Sequence, residues 1–190
     1  MEIGRGAEAV ISLEDCYVRK YRLPKSYRLK QLDDALRQER TLREARIISD
    51  ARRHGVPTPI IYNILKFELD MQHINGQRLK DIINPELSEK VGETVGRLHK
   101  AGIIHGDLTT SNIILFEKRV YLIDFGLAFY ENSIEAQGVD VHVYFQTLKS
   151  THDSTDELIE AFKRGYARTY KGADAVFNRV NEIKARGRYL

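Results

Sequence analysis

The sequence predicts an α+β chain of two lobes, a small β-rich N-terminal lobe with one long helix and a reduced, mainly helical C-terminal lobe. Three observations support this. Short strand-like runs fill most of the first 75 residues, interrupted by a single long helical pattern. Apolar residues then recur at helical spacing through much of the remainder. Where the two regimes meet, "IIHGDLTTSNIIL" pins His105, Asp107 and Asn112 between apolar flanks.

Each element has a local reason. "AEAVISLE" (7–14) and "CYVRKYR" (16–22) read as strands, with a turn around Glu14 and Asp15. Residues 31–53 read as one helix, with Leu32, Leu36, Ile47, Ile48 and Ala51 at helical spacing; Gly55 and Pro57 end it. "IIYNILKFELDMQHI" (60–74) supplies one or two strands, and "NGQ" at Asn75–Gln77 marks the boundary between lobes. A second helix is expected from about Ser88 to Ala101, with Val91, Val95 and Leu98 on one face and Gly102 at its C-cap. "NIIL" and "VYLID" follow as strands around Lys118 and Arg119, and everything after Gly138 reads as helical. The chain is therefore expected to be one domain, 1–75 forming the N-lobe and 76–190 the C-lobe with a basic tail.

With 42% hydrophobic and 30% charged residues among 190, the chain can bury a core, which excludes disorder as its main state. The lone Cys16 excludes an internal disulfide framework and a cysteine-based zinc site. No apolar run approaches a membrane span and no signal peptide is evident, so a soluble, cytoplasmic protein without membrane contact is expected. The net charge is +3, but Arg19, Lys20, Arg22, Lys25, Arg28 and Lys30 cluster, as do Arg179, Lys184, Arg186 and Arg188. Such clusters either hold phosphate or nucleic acid or form a solvated face.

The polar cluster carries the chemistry. His105-x-Asp107-Leu108-x-x-x-Asn112 matches the catalytic-loop pattern of protein kinases, with Gly106 in place of Arg, and Asp124-Phe125-Gly126 supplies the second half of that signature. Phosphoryl transfer needs a carboxylate near the attacking hydroxyl and ligands for the metal that bridges the phosphates. Asp107 is the candidate for the first role; Asn112 and Asp124 are the candidate metal ligands, a donor set suited to Mg²⁺. Upstream, "IGRGAEAV" places Ile3, Gly4, Arg5, Gly6, Ala7, Glu8, Ala9 and Val10 where a phosphate-covering loop would lie, though Ala9 stands where a third Gly is usual. Lys20 is placed to meet the α- and β-phosphates of ATP and a helix glutamate. Glu44 is the preferred partner because it shares a face with Ile47, Ile48 and Ala51; Glu39 is the alternative. The order of loop, Lys, helix Glu, HxDxxxxN and DFG is that of a protein-kinase-like fold.

Nearly the whole chain also resembles one family, the small atypical protein kinase subunit of the KEOPS complex. The resemblance rests on "GAEA" (6–9), "KYRLPKSYR" (20–28), "RTLREAR" (40–46), "GVPTP" (55–59), "HGDLTTSN" (105–112), "LIDFGLA" (122–128) and "RGRY" (186–189). It implies a bilobal kinase fold, ATP with Mg²⁺, serine/threonine phosphorylation and ATP hydrolysis, within an assembly that forms threonylcarbamoyl-adenosine in tRNA. The implied partners are a threonylcarbamoyl-transferase subunit acting in trans and a small regulatory subunit at the N-lobe. The basic loop and C-terminal tail would contact tRNA or a partner. Asp140 resembles the helix aspartate that binds the catalytic-loop backbone, but reads equally as a helix N-cap after Gly138.

No Ala-Pro-Glu follows Gly126, and only about a dozen residues are expected before the next helix. A regulated protein kinase uses that interval for a peptide platform and a phosphorylation switch. Two other readings stay open: a small-molecule phosphotransferase of the aminoglycoside- or choline-kinase kind, and a non-catalytic nucleotide-binding scaffold.

Overall fold

The computed structural model describes residues 1–6, 8–152 and 155–186. Its N-lobe is a five-stranded antiparallel sheet in the order β1-β2-β3-β5-β4. The strands are β1 (Glu2–Arg5), β2 (Ala9–Leu13), β3 (Tyr17–Arg22), β4 (Ile61–Ile64) and β5 (Glu68–Gln72). "IIYNILKFELDMQHI" thus forms two strands. Register sets Ile11 opposite Lys20, and Val18 opposite Met71. Because side chains alternate along a strand, Ile11, Val18, Lys20 and Met71 share one face of the sheet.

Helix α1 (Lys30–Arg53) packs against this sheet. Its inward face is Asp33, Arg37, Thr41, Glu44, Ala45, Ile47, Ile48 and Ala51. The apolar half of that face was legible, but Leu32 is not on it: it is 53% exposed, as Leu42 is 46% exposed. The first turns are instead held by charge. Arg37 sits 3.7 Å over the Phe67 ring and pairs with Asp33 at 2.8 Å.

The C-lobe begins with β6 (Gln77–Arg78) and the short α2 (Leu79–Ile82). Helix α3 (Pro85–Lys100) starts three residues before Ser88, because the Asn84 side chain accepts from Leu87 N–H at 2.9 Å and Pro85 occupies the first turn. Strand β7 (Ile103–Ile104), a 3₁₀ turn (Thr110–Asn112), β8 (Ile113–Phe116), β9 (Arg119–Leu122) and β10 (Phe129–Tyr130) follow. Between β8 and β9, Glu117 and Lys118 both take positive φ (47° and 63°), the geometry of a tight hairpin turn.

Helices α4 (Ile134–Thr151), α5 (Thr155–Thr169) and α6 (Ala173–Arg186) complete the described chain. Helix α4 starts before Gly138, capped by Ser133, whose side chain accepts from Ala136 N–H. That corrects two expectations. Asp140 is not an N-cap, and only residues 127–133 separate Gly126 from the next helix. Helices α3 and α5 cross closely at glycines: a Cβ on Gly165 would lie 1.9 Å from Glu89 O, and one on Gly92 2.1 Å from Phe162 O. Around that crossing Tyr144, Phe145, Phe162 and Tyr166 form a buried aromatic cluster. No helix among the described residues is long and apolar enough to cross a membrane.

Candidate active site

A cavity of about 250 Å³ opens between the N-lobe sheet and the β8–β9 hairpin. Ile3, Gly4, Lys20, Glu44 and Asp124 of the sequence-predicted set line it. Arg5, Gly6, Glu8, Ala9, Val10, Asp107 and Asn112 do not. Arg5 pairs with Glu2 at 2.9 Å, Glu8 with Arg40 at 2.8 Å, and Ala9 is buried. Gly6 N–H closes the β1–β2 turn onto Ala9 O, and Val10 pairs with Tyr21 across the sheet. Ala7 lies outside the described residues, as does the tail from Gly187 to Leu190.

Ile11, Val18, Met71, Ile114 and Ile123 supply apolar walls that the sequence reading missed. The signal was available: Val18 is two residues from Lys20 on a strand, so it had to share its face.

Lys20 is the centre of the charged arrangement. Its Nζ donates to Glu44 Oε1 and to Asp124 Oδ1, each at 2.7 Å. Glu44 Oε2 is taken by Arg22. Glu39 is exposed, so the geometry selects Glu44. Burial by itself would lower the Lys20 pKa, but Glu44 and Asp124 outweigh it and hold the ammonium above its ordinary value. Burial would likewise raise Asp124, yet Lys20 keeps its carboxyl below the usual range.

The loop that carries His105, Asp107 and Asn112 is built from below. Asp140, buried in α4, accepts from His105 N–H and Gly106 N–H, each at 2.9 Å, and contacts His99 Nε2 at 3.1 Å. The other nitrogen of His99 contacts the Tyr166 hydroxyl at 2.8 Å. Gly106 has φ +78°, and a Cβ there would lie 2.4 Å from Leu127 O. The His105 ring contacts Phe125, with centroids 4.8 Å apart, and its Nε2 is 3.1 Å from Ile123 O.

Asn112 and Asp124 are brought together by the hairpin. Ile113 pairs with Leu122, and Ile123 N–H donates to Asn112 O at 2.9 Å, so the two sit at the same end of one ladder. Asn112 Nδ2 donates to Asp107 O (3.0 Å) and Asp107 Oδ2 (2.9 Å). That occupies the amide NH₂ and leaves the carbonyl Oδ1 as the atom that could hold a metal. Asp124 has φ 60°, a left-handed conformation that aspartate tolerates better than most residues, and its side chain is 43% exposed. One oxygen is held by Lys20, so Oδ2 can accept a cation. The donor set fits Mg²⁺ held jointly by protein and phosphate oxygens.

The basic run is used largely inside the fold. Arg19 pairs with Asp70 at 2.7 Å, Arg22 with Glu44, and Arg28 with Asp33 at 3.4 Å. Together with Lys20, these cations serve internal carboxylates before any external anion.

A model of the RIO domain family matches residues 15–163. A probable bifunctional tRNA threonylcarbamoyladenosine biosynthesis protein from Methanosarcina barkeri is 55% identical over 192 residues, covering 98% of this chain and 35% of the relative. A probable serine/threonine-protein kinase BUD32 homolog from Archaeoglobus fulgidus is 46% identical over 190 residues, covering 100% of this chain and 97% of the relative. The chain thus spans about a third of the bifunctional relative and nearly all of the other. The Rio2 kinase from Chaetomium thermophilum superposes with a TM-score of 0.68 at 16% identity, covering 96% of this chain and 71% of that one. An amicoumacin kinase superposes with a TM-score of 0.67 at 12% identity, covering 90% and 72%. Both likenesses concern the fold, which is protein-kinase-like.

Proposed function

Because the chain belongs to the RIO domain family, we propose that it is an atypical serine/threonine kinase using ATP and Mg²⁺, serving the assembly that makes threonylcarbamoyladenosine in tRNA. The observation that carries this reading is the convergence of Glu44 and Asp124 on Lys20 Nζ, both at 2.7 Å, beside a cavity with apolar walls. The names of the relatives from Archaeoglobus and Methanosarcina support the kinase and the tRNA setting respectively. They favour this reading over a small-molecule phosphotransferase, whose support here is a shared fold at 12% identity.

In this reading the apolar walls receive the base and Lys20 holds the α- and β-phosphates. Asp107 accepts the proton of the attacking hydroxyl through Oδ1, while Asn112 fixes Oδ2. Asn112 Oδ1 and Asp124 Oδ2 would hold Mg²⁺, which would supply charge neutralisation at the phosphates. Water in place of the hydroxyl gives ATP hydrolysis with the same groups. The partners we assign are the transferase subunit in trans and a small regulatory subunit at the N-lobe. Contact with tRNA is assigned to the basic loop and the C-terminal tail.

The test uses radiolabelled ATP and Mg²⁺ with the purified chain, following self-phosphorylation and phosphate release. Asp107→Ala and Asp124→Ala should each abolish both. Full activity in either variant overturns the assignment.

A further inference from the structure

Tyr130 stands in the short segment after Asp124-Phe125-Gly126. Its hydroxyl donates to Asp50 Oδ2 on α1 at 2.5 Å. Strand β10 fixes the segment, pairing Tyr130 with Ile103 and Phe129 with Ile104, directly before the catalytic loop. Asp50 lies on the same helix as Glu44. One hydrogen bond therefore joins the catalytic-loop side of the molecule to the helix that carries the lysine's partner.

From this geometry we infer that Tyr130 is a positioning residue for nucleotide binding, holding α1 where Glu44 meets Lys20. The inference rests on the function proposed above. Three features support it. The first turns of α1 are held by charge, while its apolar anchorage, Ala45, Ile47, Ile48 and Ala51, lies in the half that carries both Glu44 and Asp50. At that end Asp50 is oriented on both sides: Oδ1 accepts from Arg53 at 3.1 Å while Oδ2 faces Tyr130. Finally, residues 127–133 are too few to form a loop that a phosphate could order, so a fixed side-chain bond occupies the place of a switch. The Tyr130 hydroxyl keeps its proton throughout the neutral range, because burial and Asp50 push its pKa up to about 12.

The bond is partly solvent-exposed, so its loss should cost affinity and leave the fold intact. Binding of Mg²⁺ with a non-hydrolysable ATP analogue is measured by calorimetry, alongside thermal melting without nucleotide. Tyr130→Phe should weaken binding by about 3- to 10-fold with an unchanged melting temperature. Asp50→Ala should do the same, and the double variant should be no weaker than either single one. Asp50→Asn, which keeps an accepting oxygen, should stay within about twofold of the parent. Parent-like affinity in Tyr130→Phe, or additive losses in the double variant, overturns the positioning role alone. A parent chain that binds no nucleotide overturns the functional reading with it.

Discussion

A Cβ on Gly106 would lie 2.4 Å from the carbonyl oxygen of Leu127, and Gly106 itself has φ +78°. Both constraints act on the residue between His105 and Asp107, where a regulated protein kinase carries Arg. The neighbour is backbone and cannot swing aside. Gly106→Ala should therefore cost about 1–2 kcal/mol from the left-handed backbone alone, with the clash adding to it. Displacing Leu127 would also move the segment after Gly126. Denaturant unfolding and phosphate release should both register the change. A variant as stable as the parent would show that the loop can relax, against this account.

Lys20 and Glu44 should fail in different ways. Glu44 is 2% exposed and neutralises both Lys20 and Arg22. Glu44→Gln leaves buried Arg22 facing a neutral amide and Lys20 with Asp124 alone, a loss of about 3–5 kcal/mol by analogy with broken buried pairs. Lys20→Met leaves Glu44 with Arg22, so the fold should persist while nucleotide affinity collapses. Glu39→Gln, on the exposed face, should change neither. Unfolding curves and nucleotide titrations on the three variants separate these outcomes. Equal stability loss in Lys20→Met and Glu44→Gln would count against the shared-carboxylate arrangement.

Much of the candidate site's geometry was legible because the kinase signature sets residue types at fixed spacings: Asp107 with Asn112, then Asp124 one strand later. Glu44 followed from helical phase, since it shares a face with Ile47 and Ile48. Leu32 misled because an apolar side chain near a helix start looks like core, while Asp33 and Arg37 form the real inner face through charge. Helix α4 starts at Ile134, ahead of Gly138, although a glycine there reads as a breaker. In the structure it is a close-packing position, where a Cβ would lie 2.8 Å from Arg179 Cγ. The Asp50–Tyr130 bond could not be read at all. It joins residues eighty positions apart whose types carry no motif.

Acid should weaken the fold through two carboxylates. Burial would raise Asp140, but hydrogen bonding from His99 and the catalytic-loop N–H groups holds it below the ordinary range; Asp124 is held low by Lys20. A group with a depressed folded pKa contributes stability above its unfolded value and loses it as pH falls through the folded value. Lys20, raised, contributes stability below its unfolded value and loses it as pH rises through the folded one. The contribution of these three groups should therefore be level between about pH 5 and 9 and fall below about pH 4. Asp140→Asn should be less stable at neutral pH and show a shallower acid fall, measured by denaturant unfolding from pH 2 to 7. An acid limb parallel to the parent's would remove Asp140 from this role.

The crossing of α3 and α5 predicts a stability defect that leaves the chemistry alone. Gly165 brings α5 against Glu89 O, and an added methyl would approach that oxygen to 1.9 Å. Neither helix can yield cheaply, because the same crossing has Gly92 against Phe162 O and Gly96 against Thr169 Oγ1, each at 2.1 Å from an added Cβ. Gly165→Ala forces the axes apart and loosens the packing of Phe162 and Tyr166 on their neighbours. A loss of about 1–3 kcal/mol is expected, the range for overpacked cores. Tyr166 also contacts His99 beneath the catalytic loop, so the two effects must be separated. Helix α5 can shift away while His99 on α3 keeps its contact with Asp140 on α4, so that only the Tyr166 contact is disturbed. The folded fraction of Gly165→Ala should then bind nucleotide as the parent does, measured well below its melting temperature. Parent-like stability would mean the helices already stand further apart than the structure places them.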